Sequence, residues 1–325
     1  MLKLKYLFEN FELAKLALTN WEHDEETLDD YLKYFRISSN AVYPFSVQGK
    51  RHFLRLAPVE EKQKKNLVGE LEFLQYLVNA GYGSMKPVAA ENGELLLTLN
   101  TKWGDYYASV FEGVAGISIE DTDYREEIMI AYGKALGRLH NLSMDYQPEN
   151  RKWSYLDALE WVKNTLAEYQ NLPLEKMLRE VEAVELELSK FRQTKETFGL
   201  VHYDFEPDNV FYNAENGSCH VIDFEDGMYH FYLLDIEQVL DALAGELEGE
   251  AFEQAKKYFL QGYESERALE PDYEPKCRLM RRFCNLFSYA RLVRCVAEEV
   301  PDAPEWMVSV RNRLFEKIQY LENIK

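Results

Sequence analysis

The stretch GLVHYDFEPDNVFYNAENGSCHVIDFED, residues 199–226, decides how this chain is read. It opens on an apolar run, Gly199-Leu200-Val201, and then turns polar. Two β-rich runs follow, Val210-Phe211-Tyr212 and His220-Val221-Ile222, separated by Asn213–Ser218. The separating segment holds Asn216-Gly217, a pair that accepts the left-handed backbone a tight hairpin demands. A hairpin returns its far end beside its start. His202, Asp204 and Asn209 lie on the loop before the first run, and Asp223 directly follows the second. Asp204, Asn209 and Asp223 are therefore predicted to converge.

That convergence has a chemical meaning. Mg²⁺ takes oxygen ligands and is commonly held by one or two side chains together with phosphate oxygens. Asn209 and Asp223 supply two such oxygens. Asp204 is then free to orient a substrate hydroxyl and to accept its proton. A base Asp, a metal Asn and a metal Asp are the division of labour of kinase-type phosphoryl transfer.

The pattern His202-x-Asp204-x-x-x-x-Asn209, followed by Ile222-Asp223-Phe224, resembles the phosphotransfer site shared by protein kinases and aminoglycoside phosphotransferases. The surrounding text, with Leu233-Leu234-Asp235 beyond it, is similar to the aminoglycoside phosphotransferase and choline kinase superfamily. The resemblance spans about residues 30–325 and is most specific at 199–226 and 235. It implies a two-lobed α+β kinase-like fold. The small, mainly antiparallel β lobe is expected over 1–112 and the large, helical lobe over 113–325.

It also implies roles. Asp204 is the expected catalytic base, with His202 supporting its loop, and Asn209 and Asp223 hold Mg²⁺. Arg55, in Phe53-Leu54-Arg55-Leu56, stands where the family's strand carries a basic residue for nucleotide phosphates. Glu70 stands at the helix position that pairs with it, with Glu72 a rival close by. Glu112-Gly113-Val114-Ala115-Gly116 looks like the hinge, where backbone groups of Glu112 and Val114 meet the adenine edge. Asp235 resembles the family's structural Asp beneath the catalytic loop. One departure stands out: Ser38-Ser39-Asn40 occupies the place of a Gly-rich loop, so phosphate contacts there fall to backbone or hydroxyl groups.

Composition narrows the partners. The chain has 325 residues, 46% of them hydrophobic, enough for substantial cores. A formal net charge of −20 disfavours nucleic acid and anionic membrane and favours cationic partners. Cys219, Cys277, Cys284 and Cys295 form no C-x-x-C pair and read as small buried residues. Charges interrupt the N-terminal residues and no apolar run approaches membrane-spanning length, which points to a cytoplasmic protein; a monomer or homodimer is expected.

Along the rest of the chain, helical spacing is expected near Phe11–Leu18, over Glu25–Phe35 and over Leu67–Val78, with Arg36–Asn40 a polar turn. Ala41–Val47 and His52–Leu56 form one predicted hairpin, and Val88–Ala90 with Leu95–Leu99 another; Tyr106–Phe111 is a strand. Glu126–His140, 151–198, 236–262 and 276–322 read as helical, with His140 a packed structural residue. The late Ala303-Pro304-Glu305 mimics a protein-kinase motif by chance.

The expected activity is ATP-dependent, or GTP-dependent, transfer of a γ-phosphate to a hydroxyl of a small molecule. Glu206, Asp208, Glu225 and Asp226 crowd the motif and favour an amine-bearing acceptor. The alternatives are an atypical protein Ser/Thr kinase, a homoserine-type kinase, a nucleotide-binding pseudokinase-like module, and a helical interaction protein with an accidental motif.

Overall fold

A computed structural model of the chain describes residues 1–169 and 173–323. It has an antiparallel sheet lobe followed by a helical lobe. The first lobe comprises α1 (Phe11–Leu18), α2 (Glu25–Leu32), β1 (Arg36–Ile37), β2 (Ala41–Val47), β3 (Lys50–Pro58), α3 (Lys64–Asn79), β4 (Lys86–Val88), β5 (Leu97–Thr101) and β6 (Gly104–Glu112). The sheet order is β1-β2-β3-β6-β4, with β5 also on β6.

Side chains alternate across a strand. Leu54 and Leu56 of β3 join Tyr43, Phe45, Ala108 and Val110 in a core closed by Leu13, Leu18, Leu28 and Leu32 of α1 and α2. The intervening Arg55 therefore points to the opposite face, toward α3, from a strand flanked by β2 and β6 on both edges.

Three local expectations give way here. Val88–Ala90 and Leu95–Leu99 do not form a hairpin: β4 and β5 each pair with β6, at Val88↔Val110 and Leu97↔Ala108. The longer β6 presents more ladder to each than they present to one another. The polar turn expected over Arg36–Asn40 is shorter, because Arg36 and Ile37 pair with Val42 and Ala41. The second helix stops at Leu32 rather than Phe35, and Phe35 instead packs its ring on Phe11 and Tyr43.

The second part comprises β7 (Ile117–Ser118), α4 (Glu126–Asp145), α5 (Tyr155–Ala167), α6 (Leu174–Leu188), β8 (Phe198–Val201), β9 (Val210–Asn213), β10 (Ser218–Val221), β11 (Met228–Phe231), α7 (Leu233–Glu246), α8 (Gly249–Glu264), α9 (Tyr273–Val296) and α10 (Glu305–Asn323). The helical span expected over 151–198 includes residues 170–172, which lie outside the described residues, as do 324–325. The span expected over 236–262 is two helices, broken at Leu247-Glu248, and the last span is broken by the segment holding Pro301 and Pro304.

Two strand pairs place the site. β9 and β10 form the predicted hairpin, with Val210↔Val221 and Asn213↔Ser218 in register. β8 pairs with β11, Val201 opposite Met228. Loops 202–209 and 222–227 therefore run side by side between the same two strand pairs. Beneath them lies α4, packed closely on α8. A Cβ at Gly133 would meet the Phe259 carbonyl at 1.9 Å, and one at Gly262 the Ile130 carbonyl at 2.1 Å, so only glycine permits this approach. The C-terminal half of α4 then carries His140 and Ser143 under the loop, and Ser143 donates to the Leu200 carbonyl (2.7 Å).

Candidate active site

The loop after β8 is held from below by one carboxylate. Asp235, in the first turn of α7 and fully buried, accepts the backbone N–H groups of His202 (2.8 Å) and Tyr203 (2.7 Å). It also accepts His140 Nε2 (3.0 Å), whose Nδ1 meets the Tyr263 hydroxyl (3.0 Å). His140 is thus more than packing: it orients the anchor. Tyr203 sits at φ 73°, a left-handed backbone that a tyrosine adopts only where its surroundings impose it. The two Asp235 bonds supply that constraint, and Gln238 adds a bond to the Tyr203 carbonyl (2.9 Å).

His202 threads the two loops together. Its Nδ1 accepts the Asp204 N–H (3.2 Å) and its Nε2 faces the Ile222 carbonyl (2.9 Å). Only a neutral ring with its proton on Nε2 satisfies both. Burial pushes the His202 pKa down to about 4. An unfolded histidine titrates near 6.5. Between those values the unfolded chain binds a proton that the folded chain refuses. This histidine's contribution to stability is complete above about pH 6.5 and is lost as pH falls toward 4, by about 1.4 kcal/mol per pH unit. Nitrogen-detected NMR at about pH 5.5 is expected to show the neutral Nε2–H ring. A charged ring at that pH would contradict the geometry.

The predicted trio does converge. Asn209 Nδ2 donates to Asp204 Oδ2 (3.0 Å) and to the Asp204 carbonyl (3.0 Å), and the Ile222 N–H bonds the Asn209 carbonyl (3.0 Å). With its amide nitrogen spent on Asp204, Asn209 has Oδ1 without a protein partner among the described residues. Asp223 follows, at φ 61°. Burial, then Glu225 and Asp226, push its pKa up to about 6. Burial, then Asp223 and Glu206, hold Asp204 well above the usual carboxylate range. Two buried carboxylates raised together mark a cluster short of positive charge.

On the sheet side, Arg55 makes a two-pronged bond to Glu70 (2.8 and 2.7 Å), and its guanidinium lies 4.7 Å from the Phe111 ring centroid. The rival Glu72 is engaged elsewhere, accepting the N–H groups of Glu149 and Asn150 and the Tyr146 hydroxyl. Where the hinge is expected, Glu112 is in register with both His52 and Lys86, and the Gly113 N–H bonds the Arg51 carbonyl (2.9 Å). Val114 is the first residue past the ladder whose backbone groups are unbonded among the described residues.

Sequence reasoning missed two cations and the place of a third, Arg291, which it read only as one of several arginines paired with acids. Lys152, buried just before α5, donates to the carbonyls of Phe224 (3.1 Å) and Glu225 (2.6 Å). Lys62, after β3, pairs with the Glu225 carboxylate. Arg291 of α9 pairs with Asp226 (2.7 Å) and donates to Ser39 Oγ (3.2 Å). Each contact spans 65 residues or more, so no local pattern marks it. Two of the four acids counted toward an amine-bearing acceptor, Glu225 and Asp226, are consequently neutralised from within. Among the other arginines of α9, Arg281 pairs with Glu237 and Asp241, Arg282 with Glu180 and Glu187, and Arg294 with Glu61.

Residues 35–269 match the model of the phosphotransferase enzyme family. The chain belongs to that family. Among curated proteins it is similar to the amicoumacin kinase of Bacillus subtilis (strain 168), at 22% identity over 249 residues, 74% of each chain. It is also similar to the homoserine kinase of Caulobacter vibrioides (strain NA1000 / CB15N), at 27% identity over 208 residues, 62% of each chain. A solved amicoumacin kinase in complex with AMP-PNP, Ca²⁺ and Ami shares the fold, with a TM-score of 0.77 at 20% identity, covering 97% of this chain and 95% of that one. The protein is accordingly a small-molecule phosphotransferase with an α+β kinase-like fold. No described helix is long and apolar enough to cross a membrane.

Proposed function

We propose that this phosphotransferase moves the γ-phosphate of ATP or GTP to a hydroxyl of a small, amine-bearing molecule. The observation that supports the reading is the bond from Asn209 Nδ2 to Asp204 Oδ2, which fits a division of work between the two residues. Asp204 addresses the acceptor hydroxyl: it orients the O–H and takes the proton as oxygen bonds to phosphorus and the nucleoside diphosphate leaves. Asn209 Oδ1 and Asp223 face the phosphates.

The donor set fits Mg²⁺. It consists of hard oxygens in a cluster short of positive charge. Bound there, Mg²⁺ would neutralise charge on the phosphate oxygens. Arg55, fixed by Glu70, faces the α- and β-phosphates, Val114 meets the adenine edge with Glu112 beside it, and His202 keeps the loop in shape.

The acceptor assignment now rests on Asp204 and Glu206, and on relatives named for amicoumacin and homoserine. An ammonium gains from carboxylates in a cleft of low dielectric.

Mg·ATP at about 100 times its Kd is expected to stabilise the protein by about 2.7 kcal/mol. Thermal unfolding with millimolar ATP or GTP is the measurement, and no shift with either would end the nucleotide reading. A panel of amino alcohols, aminoglycosides, homoserine and neutral sugars then tests the acceptor. A best acceptor that is a neutral sugar would overturn the amine assignment alone.

A further inference from the structure

Glu225 is the residue after Phe224 in the loop that carries Asp223. Its side chain is 9% exposed and crosses to the sheet lobe. There it meets three donors from three separate segments. Lys62 Nζ bonds one carboxylate oxygen and Asn40 Nδ2 the other, and Arg55 Nη1 lies 3.7 Å away. Asn40 comes from the turn between β1 and β2, Lys62 from the end of the turn that follows β3, and Arg55 from the centre of β3.

This is an anion-binding arrangement, and its occupant is the protein's own carboxylate. Arg55 and Lys62 bring two positive charges; Glu70 and Glu225 bring two negative ones. With Glu225 in place each cation has a carboxylate partner within the protein, and a phosphate arriving at Arg55 must compete with that carboxylate for Lys62 and Asn40. With Glu225 turned away, Lys62, Asn40 and the outer face of Arg55 present one uncompensated charge and three groups of donors. Phosphate oxygens accept from such groups as a carboxylate does.

The backbone is anchored apart from that side chain. Lys152 holds the Phe224 and Glu225 carbonyls (3.1 and 2.6 Å) independently of the side chain. The neighbouring Asp226 is fixed by Arg291, which also reaches Ser39. A turn of the Glu225 side chain alone breaks none of these contacts, so Asp223 and the Ser39–Arg291 contact can stay in place.

We propose that Lys62 and Asn40 join Arg55 in binding the nucleotide's phosphates, and that the Glu225 carboxylate occupies their place until nucleotide displaces it. The proposal rests on the nucleotide reading above. It makes Glu225 an internal competitor, so apparent affinity is lowered by the fraction of molecules in which Glu225 holds the site.

The test is direct nucleotide binding by calorimetry on full-length protein, with Mg·ATP and with Mg·GTP. Glu225→Gln keeps the shape and removes the charge, and is expected to tighten binding roughly fivefold or more. Lys62→Met is expected to weaken it about tenfold. In the double variant the gain from Glu225→Gln should shrink, because the carboxylate's main partner is gone. Glu225→Asp, which keeps the charge on a shorter stem, serves as a second variant if the glutamine form does not fold, and should also tighten binding. Wild-type binding that Glu225 variants leave unchanged or weaken would overturn the proposal and leave the nucleotide reading intact. Absence of wild-type binding would overturn both.

Discussion

Replacing Asp204 with Asn is expected to lower kcat by about 10²–10⁴-fold, the usual contribution of a positioned general base. The substitution is close to isosteric. Its side-chain oxygen can still accept from Asn209 Nδ2, so the loop keeps its shape while losing the group that takes the proton. Nucleotide affinity is expected to change less than about twofold, because Asp204 is assigned to the acceptor hydroxyl and not to the phosphates. The opposite split is expected for Asp223→Ala, which removes a cation ligand and with it Mg²⁺-dependent nucleotide binding. Steady-state rates on the best acceptor, together with calorimetric Kd values for Mg·ATP, check both. An Asp204→Asn protein with wild-type kcat would show that the base lies elsewhere.

The legible and illegible parts of this site differ by sequence distance. Asp204 and Asn209 are five apart, and the hairpin that returns Asp223 to them is set by a turn of four residues, 214–217, with Gly217 at φ 67°. Short-range chemistry of that kind survives in a single sequence. Arg55 and Glu70 are also near, 15 residues apart, one at the centre of a strand and the other on the next helix. The cations that neutralise the following acids come from far away: Lys62 reaches Glu225 across 163 residues, and Arg291 of α9 reaches Asp226 across 65. Nothing in the local pattern around Glu225 or Asp226 marks them as compensated, so counting acids near the motif overstated the charge a substrate meets. The β4–β5 misreading has the same origin. Each strand looks like half a hairpin beside its neighbour, and the partner that wins, β6, is set by the whole sheet.

Asp235→Ala is expected to cost about 3–5 kcal/mol of stability, the range for breaking a buried charged network by removing one partner. Three donors lose their acceptor at once: the N–H groups of His202 and Tyr203 and the ring of His140. All sit where water does not reach, and each buried donor left unbonded costs about 1–3 kcal/mol. The loop also loses what holds Tyr203 at positive φ, so it should relax toward an ordinary backbone and carry Asp204 away from Asn209. Urea unfolding measures the first effect, and kcat on protein that remains folded measures the second. Asp235→Asn separates charge from shape. Its amide nitrogen is a donor set among donors, so at least one of the three bonds must fail, and His140 pairs with no second carboxylate among the described residues. An Asp235→Asn protein as stable and as active as wild type would mean that the loop is shaped by β8, β11 and the Ser143–Leu200 bond alone, with the carboxylate incidental.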